Sequence, residues 1–304
     1  MTAEVMSFSG HESFPLRYGW LKKCVDAVAS DPAFFSRDDA MVPLGVGKNM
    51  VRSIRHWALT ARVIDSAPND PRGLRGLHVT PLGAMLFGPE GVDPYLEDVQ
   101  TLWLIHWLIT THPERATTWR WAFGEWGRQD FSRDELLRDL AAYAGGGRAT
   151  AATLARDAEV LLRTYLPTRA SRAVPAEDAL DGPLTELRLL REDASGRCEF
   201  ARGPKPSLGE EVFAFALLEF WERTAPDRDT LAADALLQRP GAPGRVFRLD
   251  AASLALRLED AERWSRGAVF YDDTAGLRQL LRRKRPEPIA WLGRALRAAR
   301  GGAP

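Results

Sequence analysis

Cysteine is nearly absent from this chain. Its 304 residues include only Cys24 and Cys198, far apart and with no C-x-x-C pair, which excludes cysteine zinc spacing and a disulfide framework. So few thiols point to a reduced, cytoplasmic setting. Net charge is absent too, because 41 Lys and Arg balance 41 Asp and Glu. Any surface that binds nucleic acid must therefore be local rather than a property of the whole chain. Long apolar runs are also lacking. The longest, around Leu102 to Ile109, contains His106 and falls far short of the ~20 residues needed to span a bilayer. The first residues, MTAEVMSFSG, lack the charged-then-apolar order of a secretory signal. No membrane partner is expected.

What remains is the composition of a folded protein, long enough for about two or three domains. Ten tryptophans are present, and Trp103, Trp107, Trp119, Trp121 and Trp126 crowd one segment. Core packing explains them most simply, with base-stacking platforms as the alternative.

Apolar spacing predicts a helix from Tyr18 to Ala29, with Trp20, Leu21, Cys24, Val25 and Val28 on one face. Ser36 suits a helix N-cap, with Asp38 and Asp39 in the first turn. Strands are expected at Val63-Ile64 and Leu77-His78-Val79, around a loop running from Pro68 to Gly73. Helix, short helix, turn, helix, strand, loop, strand is the order of a winged helix-turn-helix.

Further on, Asp93 to Thr111 reads as a central apolar helix. Ser132 with Glu135 forms a capping box for a helix to Tyr143, and Thr150 to Leu166 is a further helix. Residues 167–183 have the composition of a linker. A hairpin is expected around Ser195-Gly196. Ser207 with Glu210 suggests a second capping box, opening a helix to Arg223. Then come a helix from Thr230 to Gln238, a strand at Val246 to Leu249, a helix from Ser253 to Arg263, a strand at Ala268 to Tyr271 and a helix from Thr274. That last helix would end in a basic cluster of Arg278, Arg282, Arg283, Lys284 and Arg285, suited to phosphates, to an acidic protein or simply to solvent. The expected fold is mainly α. A winged helix-turn-helix domain spans 1–92, a helical domain 93–166, a linker 167–183 and a second winged-helix-like α+β domain 184–304.

The string LGVGKNMVRSIRHW, from Leu44 to Trp57, has two readings. A Gly-Lys pair entering a helix looks like a phosphate loop. That loop needs a glycine where Val42 stands and Ser or Thr where Asn49 stands, so it fails. A dinucleotide fingerprint fails at Met50, and no nucleotide cofactor is expected. As a helix, the string separates two faces. At about 100° per residue, Met50, Ile54 and Trp57 fall within roughly 60° of one another, with Lys48, Arg52 and Arg55 opposite. Asn49, Ser53 and His56 flank the cations. Between Met41 and Arg75 the only acids are Asp65 and Asp70, against Lys48, Arg52, Arg55, Arg62, Arg72 and Arg75. A one-signed face suits DNA phosphates and base edges. Lys48, Asn49, Arg52, Arg55 and His56 are the candidate contacts, with Arg72 and Arg75 reaching from the wing. A plain solvated helix face is the alternative.

Chemistry is harder to place. His11 and Glu12 in Gly-His-Glu-Ser-Phe-Pro offer an acid–base or metal-binding pair. The zinc-helix pattern is broken by Pro15, so a structural turn is the competing reading. Asp272 and Asp273 after a predicted strand, near Glu259, Asp260 and Glu262, offer ligands for Mg2+ or Mn2+. A helix N-terminus at Thr274 would account for those acids equally well. His106 reads as a core histidine.

Two long strings carry a family resemblance. They run from Phe8 through Gly10-His11-Glu12-Ser13-Phe14-Pro15-Leu16-Arg17-Tyr18-Gly19-Trp20 to Lys23, and from Leu44 to Arg55. Asp93-Pro94-Tyr95-Leu96-Glu97-Asp98 and Thr101 to Trp107 belong to the same pattern. The chain resembles a bacterial family of formerly unknown function, found beside genes for DNA phosphorothioation. That family is similar to the B component of the Ssp-type single-strand phosphorothioation system. The resemblance implies a protein that binds and nicks DNA so that sulfur can be inserted. It implies three partners: a cysteine desulfurase, an ATPase and an ATP-pyrophosphatase. The residues themselves support DNA binding. Nicking rests on the resemblance alone, and a non-catalytic adaptor or transcription regulator remains the alternative.

Overall fold

An apolar stripe at helical spacing folds the first element. Helix α1 (Trp20–Ser30) buries Trp20, Leu21, Cys24, Val25, Ala27 and Val28, the face that its sequence period marks. The structure is a computed structural model that describes residues 6–66, 76–112, 114–146, 149–168, 181–274 and 276–301. Phe34–Ser36 forms a 3-10 turn, so Ser36 ends an element instead of capping one. The acid beyond it is engaged locally, with Asp39 Oδ2 2.8 Å from Arg37 Nη2. Helix α2 (Met41–Leu44) follows Ala40.

Gly45 stops α2. Its φ of 65° is left-handed, and its N–H donates to Val42 O at 3.2 Å. A residue with a Cβ pays about 1–2 kcal/mol in that conformation, which glycine avoids. Gly47 is extended and opens α3 (Lys48–Thr60). The glycines of the ambiguous string are thus one helix stop and one helix start.

Strands β1 (Ile64–Ser66) and β2 (Leu77–Val79) pair antiparallel, Ile64 opposite Val79 and Ser66 opposite Leu77. The loop between them, with Arg72 and Arg75, lies outside the described residues. Helix α4 (Pro81–Phe87) is capped by Thr80, whose Oγ1 accepts from Gly83 N at 3.0 Å and donates to Arg62 O at 2.7 Å. This is the expected winged helix-turn-helix.

Helix α5 (Val99–Thr111) is buried without interruption from Thr101 to Thr111. It starts later than its apolar pattern suggests. Asp98 caps it, and buried Asp93 instead accepts from Glu97 N at 2.9 Å and Asp98 N at 3.1 Å, closing the preceding turn. His106 is a satisfied core histidine, its Nδ1 2.8 Å from Tyr165 Oη. Helix α6 (Thr117–Arg120) runs into a π-helical turn at Trp121–Glu125. Strand β3 (Asp130–Phe131) precedes α7 (Arg133–Ala144), which opens on the expected Ser132–Glu135 capping box and ends at left-handed Gly145. Thr150 caps α8 (Ala151–Tyr165). Strands β4 (Leu190–Glu192) and β5 (Cys198–Phe200) form the expected hairpin, with β3 on its other side in the order β3-β5-β4.

The chain gathers into two compact units. The first holds Met1–Arg120 and Arg128–Phe200, the second Trp121–Gly127 and Ala201–Pro304. In the second, α9 (Glu210–Thr224) starts from Gly209 without a side-chain cap, so the expected Ser207 box does not form. Strand β6 (Thr230–Ala232) occupies the start of the expected helix, which begins only at α10 (Ala233–Gln238). The expected strand at Val246 to Leu249 is replaced by helix α11 (Pro243–Val246) and a turn, because Pro243 stands at the first helical position and Arg248 is left-handed with φ 54°. Helices α12 (Ala251–Glu259) and α13 (Ala261–Trp264) follow.

Strands β7 (Val269–Thr274) and β8 (Leu277–Arg282) form a sheet with β6, in the order β6-β8-β7. The expected helix from Thr274 is therefore a strand. Its basic cluster does not sit at a helix end: Arg282 is 5% exposed, its guanidinium bonded to Glu222 and 5.0 Å from the Trp221 ring. Helix α14 (Pro288–Gly301) closes the unit. Among the described residues no helix is long and apolar enough to cross a membrane.

Candidate nucleic-acid interface

Helix α3 is built from its buried side outward. Ile54 and Trp57 are fully buried, and Val51, Ser53 and Ala58 complete the inner face. Met50, placed on that face by its spacing, is only half-buried. Lys48, Asn49 and Arg52 are exposed, and Arg55 and His56 are half-buried. The two faces expected from the spacing are both present, with Arg55 nearer their border.

A tight N-terminal turn holds α3 in place. Glu12 N donates to Ser9 O and Phe14 N to His11 O, both at 3.0 Å, with Ser9 and Glu12 left-handed at φ 62° and 56°. Ser53 Oγ donates to His11 O at 2.7 Å and Trp57 Nε1 to Phe14 O at 3.0 Å. Arg52 Nη1 reaches Glu12 Oε1 at 3.4 Å, over an exposed edge.

His11 lies beneath this turn, 1% exposed. Its Nε2 is 3.0 Å from Asp157 Oδ1 on α8. The same oxygen accepts from Ser9 N at 2.7 Å, and Asp157 Oδ2 accepts from Thr118 Oγ1 of α6 at 2.8 Å. The His11 ring stacks on Trp57 at 6.1 Å and meets Trp119 and His56 edge-on at 5.4 and 5.8 Å. Gly10 carries no side chain for a steric reason: a Cβ there would sit 2.3 Å from His56 Nδ1. One buried carboxylate thus joins the N-terminal turn, α6 and α8 behind α3. Buried polar networks of this kind serve geometry more dependably than stability.

His11 and Glu12, neighbours in sequence, face different ways. His11 points inward to Asp157, and Glu12 lies beside Arg52. Asp272 and Asp273 lie in the second unit, on β7 rather than at a helix start. Asp272 Oδ1 accepts from Thr274 N at 3.0 Å and from its hydroxyl, bonds that hold its carboxyl below the usual range. Asp273 Oδ2 is 3.5 Å from Arg278 Nε. Among the described residues, no three His, Cys, Asp or Glu side chains gather as a metal would need.

Sequence reasoning missed Asp157, Thr118, His112 and Arg115. Asp157 did leave a signal, an acid among the apolar positions Leu154, Ala158 and Leu161 of α8. Burial drives the His56 imidazole well below its ordinary range, helped by nearby His11, Arg115, His112 and Arg55. His112 falls to about 3, through burial and then Arg62 and Arg115.

A three-helix head whose third helix, α3, has a cationic outer edge, followed by a paired hairpin, defines a winged-helix protein of the DNA-binding class. Residues 8–294 match the family described as "Protein of unknown function (DUF4007)", and the chain belongs to that family. It is similar to two solved structures of SspB. One is described as magnesium-ion-bound, with a TM-score of 0.85, and the other, without that description, scores 0.83. Each is 30% identical and covers 98% of this chain and 89% of its own. No curated protein sequence matches.

Proposed function

We propose that this protein is the DNA-binding component of a bacterial DNA phosphorothioation and phage-defence system, acting in the cytoplasm, and that it nicks DNA so that sulfur can be inserted. One observation carries the reading: in a chain similar to SspB over nearly its whole length, α3 buries Ile54 and Trp57 and exposes Lys48, Asn49 and Arg52. Lys48 and Arg52 neutralise phosphates, Asn49 is placed to read a base edge, and Arg55 and His56 extend the contact. Arg72 and Arg75 would support from the wing. A cysteine desulfurase, an ATPase and an ATP-pyrophosphatase are the partners such a system supplies.

Nicking a phosphodiester calls for an activated water and charge stabilisation on the scissile phosphate. Similarity to a magnesium-bound SspB makes Mg2+ or Mn2+ the ion to supply. The described side chains do not by themselves fit such an ion, since their acids do not gather. Glu12 is the acid placed beside the DNA-facing edge, His11 positions it through the turn, and Asp272 and Asp273 are the second candidates.

The test is purified protein with supercoiled plasmid and Mg2+ or Mn2+. Open-circular product that disappears in Glu12→Gln, or in Asp272→Asn with Asp273→Asn, supports the nickase. Tight DNA binding with no relaxation, once contaminating nuclease is excluded, overturns nicking and leaves an adaptor or regulator.

A further inference from the structure

The far half of α3 carries a second group of cations that the exposed edge does not include. Arg55 and His56 lie half-buried on α3, Arg62 follows its end, and His112 and Arg115 lie just after α5. Arg62 is left-handed at φ 57°, and its Nη2 donates to Thr111 Oγ1 at 2.9 Å, which anchors it beside that turn. His112 Nδ1 accepts from Glu114 N at 3.2 Å, so the proton of the neutral ring sits on Nε2 and remains available to donate. His56 Nε2 is 3.5 Å from Thr60 Oγ1. Half-buried Arg115 makes no hydrogen bond or ion pair with any described residue.

Among the described residues, the groups that act on the two imidazoles are all cations or other imidazoles. His56 is faced by His11, Arg115, His112 and Arg55. His112 is faced by Arg62 and Arg115. Arg115 is faced by Arg55, with Asp65 and Glu114 the acids within reach, both exposed. Burial and mutual repulsion hold both imidazoles neutral and lower the Arg115 guanidinium. A half-buried group of like charge is costly to keep, and an anion relieves it. The guanidinium fork and imidazole N–H groups suit the paired oxygens of a phosphodiester. Lys48 and Arg55 lie about 10 Å apart along the helix axis, far enough to meet different phosphates of one duplex.

We propose that Arg115, with Arg55 and Arg62, grips a second DNA phosphate beside the C-terminal half of α3, and that His56 and His112 take up protons as the phosphate arrives. The proposal rests on reading α3 as the DNA-facing helix. The sign of the linkage follows from the free state. Both imidazoles are neutral before binding, and a nearby phosphate favours their charged forms. Protons are taken up on binding, so affinity rises as pH falls.

The experiment titrates full-length protein against a fluorescent duplex at several salt concentrations, at pH 7 and pH 5. It compares wild type with Arg115→Ala, Arg115→Lys, His112→Gln and the pair Lys48→Ala with Arg52→Ala. Thermal unfolding of each variant checks that it is folded. Arg115→Ala should weaken binding several-fold and lower the salt slope by about one, while Arg115→Lys keeps the slope. His112→Gln should reduce the gain in affinity between pH 7 and pH 5. If Lys48→Ala with Arg52→Ala loses binding while both Arg115 variants and His112→Gln match wild type in slope and pH response, the second contact is wrong and the α3 edge stands. Loss in Arg115→Ala and His112→Gln alone supports the second contact and removes the Lys48–Arg52 edge. Wild-type behaviour throughout overturns both.

Discussion

Gly10 is glycine because His56 occupies the space a side chain would need. A Cβ at Gly10 would meet His56 Nδ1 at 2.3 Å and Cε1 at 2.7 Å. Gly10→Ala is therefore expected to destabilise the fold by about 1–3 kcal/mol, the usual cost of overpacking. His56→Ala made together with it should recover part of that loss. Urea unfolding of the two single variants and the double gives the coupling, expected at about 1 kcal/mol or more. Strictly additive losses would show that the two residues do not meet. The Gly-His-Glu string is conspicuous in the sequence, but its main partner is not. Asp157 lies 146 residues from His11, and only the fold shows that an acid on the α8 stripe completes the histidine. Adjacency also made His11 and Glu12 look like a chemical pair. A tight turn with two left-handed residues sends one side chain inward and the other to the surface.

Elements whose signals are local were legible. Gly45 and Gly47 bracket the turn, the Ser132–Glu135 box opens α7, and Thr150 caps α8. The second unit was less legible because pairing decides its elements. Leu277, Leu280 and Leu281 have the spacing of a helix face, yet β8 is held between β6 and β7 and buries Leu280 and Arg282 instead. A short apolar run carries both periods, and the neighbouring strands choose between them. Helix α3 is an intermediate case. Its two faces follow from spacing, whereas the turn and Asp157 that set its position do not. The prediction at this scale concerns the exposed edge. Replacing Lys48 and Arg52 by alanine should lower the slope of log affinity against log salt by about two, similarly for all DNA sequences. Asn49→Ala should instead flatten any preference among sequences, with little change in slope. An unchanged slope in the double variant would remove these two cations from the interface.

Across the whole molecule, sequence order and structural order part company. Residues 121–127 fall within the sequence of the first unit but belong to the second. There Phe123 is fully buried with Arg248 5.5 Å from its ring, Arg245 Nη2 donates to Glu125 O at 2.8 Å, and Gly241 N donates to Gly124 O at 3.3 Å. A fragment of residues 201–304 lacks these groups. It should show weak, non-cooperative unfolding by circular dichroism, and a sharp transition in it would refute the assignment. Acid stability depends on charges spread along the chain. His56 and His112 are both depressed, His112 to about 3, whereas an unfolded histidine titrates near ~6.5. Below that pH the unfolded chain binds protons that the folded chain refuses, so stability present above ~6.5 is lost as pH falls towards the folded values. Of the lowered carboxylates, Asp39, Asp193 and Asp229 are exposed and Glu135 is half-buried in the α7 capping box. They add a smaller, screened loss only further into acid. The urea midpoint should therefore fall between pH 7 and pH 5, before the carboxylates titrate, and His112→Gln should flatten that fall. Parallel curves for wild type and His112→Gln would show that His112 is not held neutral by its burial and the cations around it.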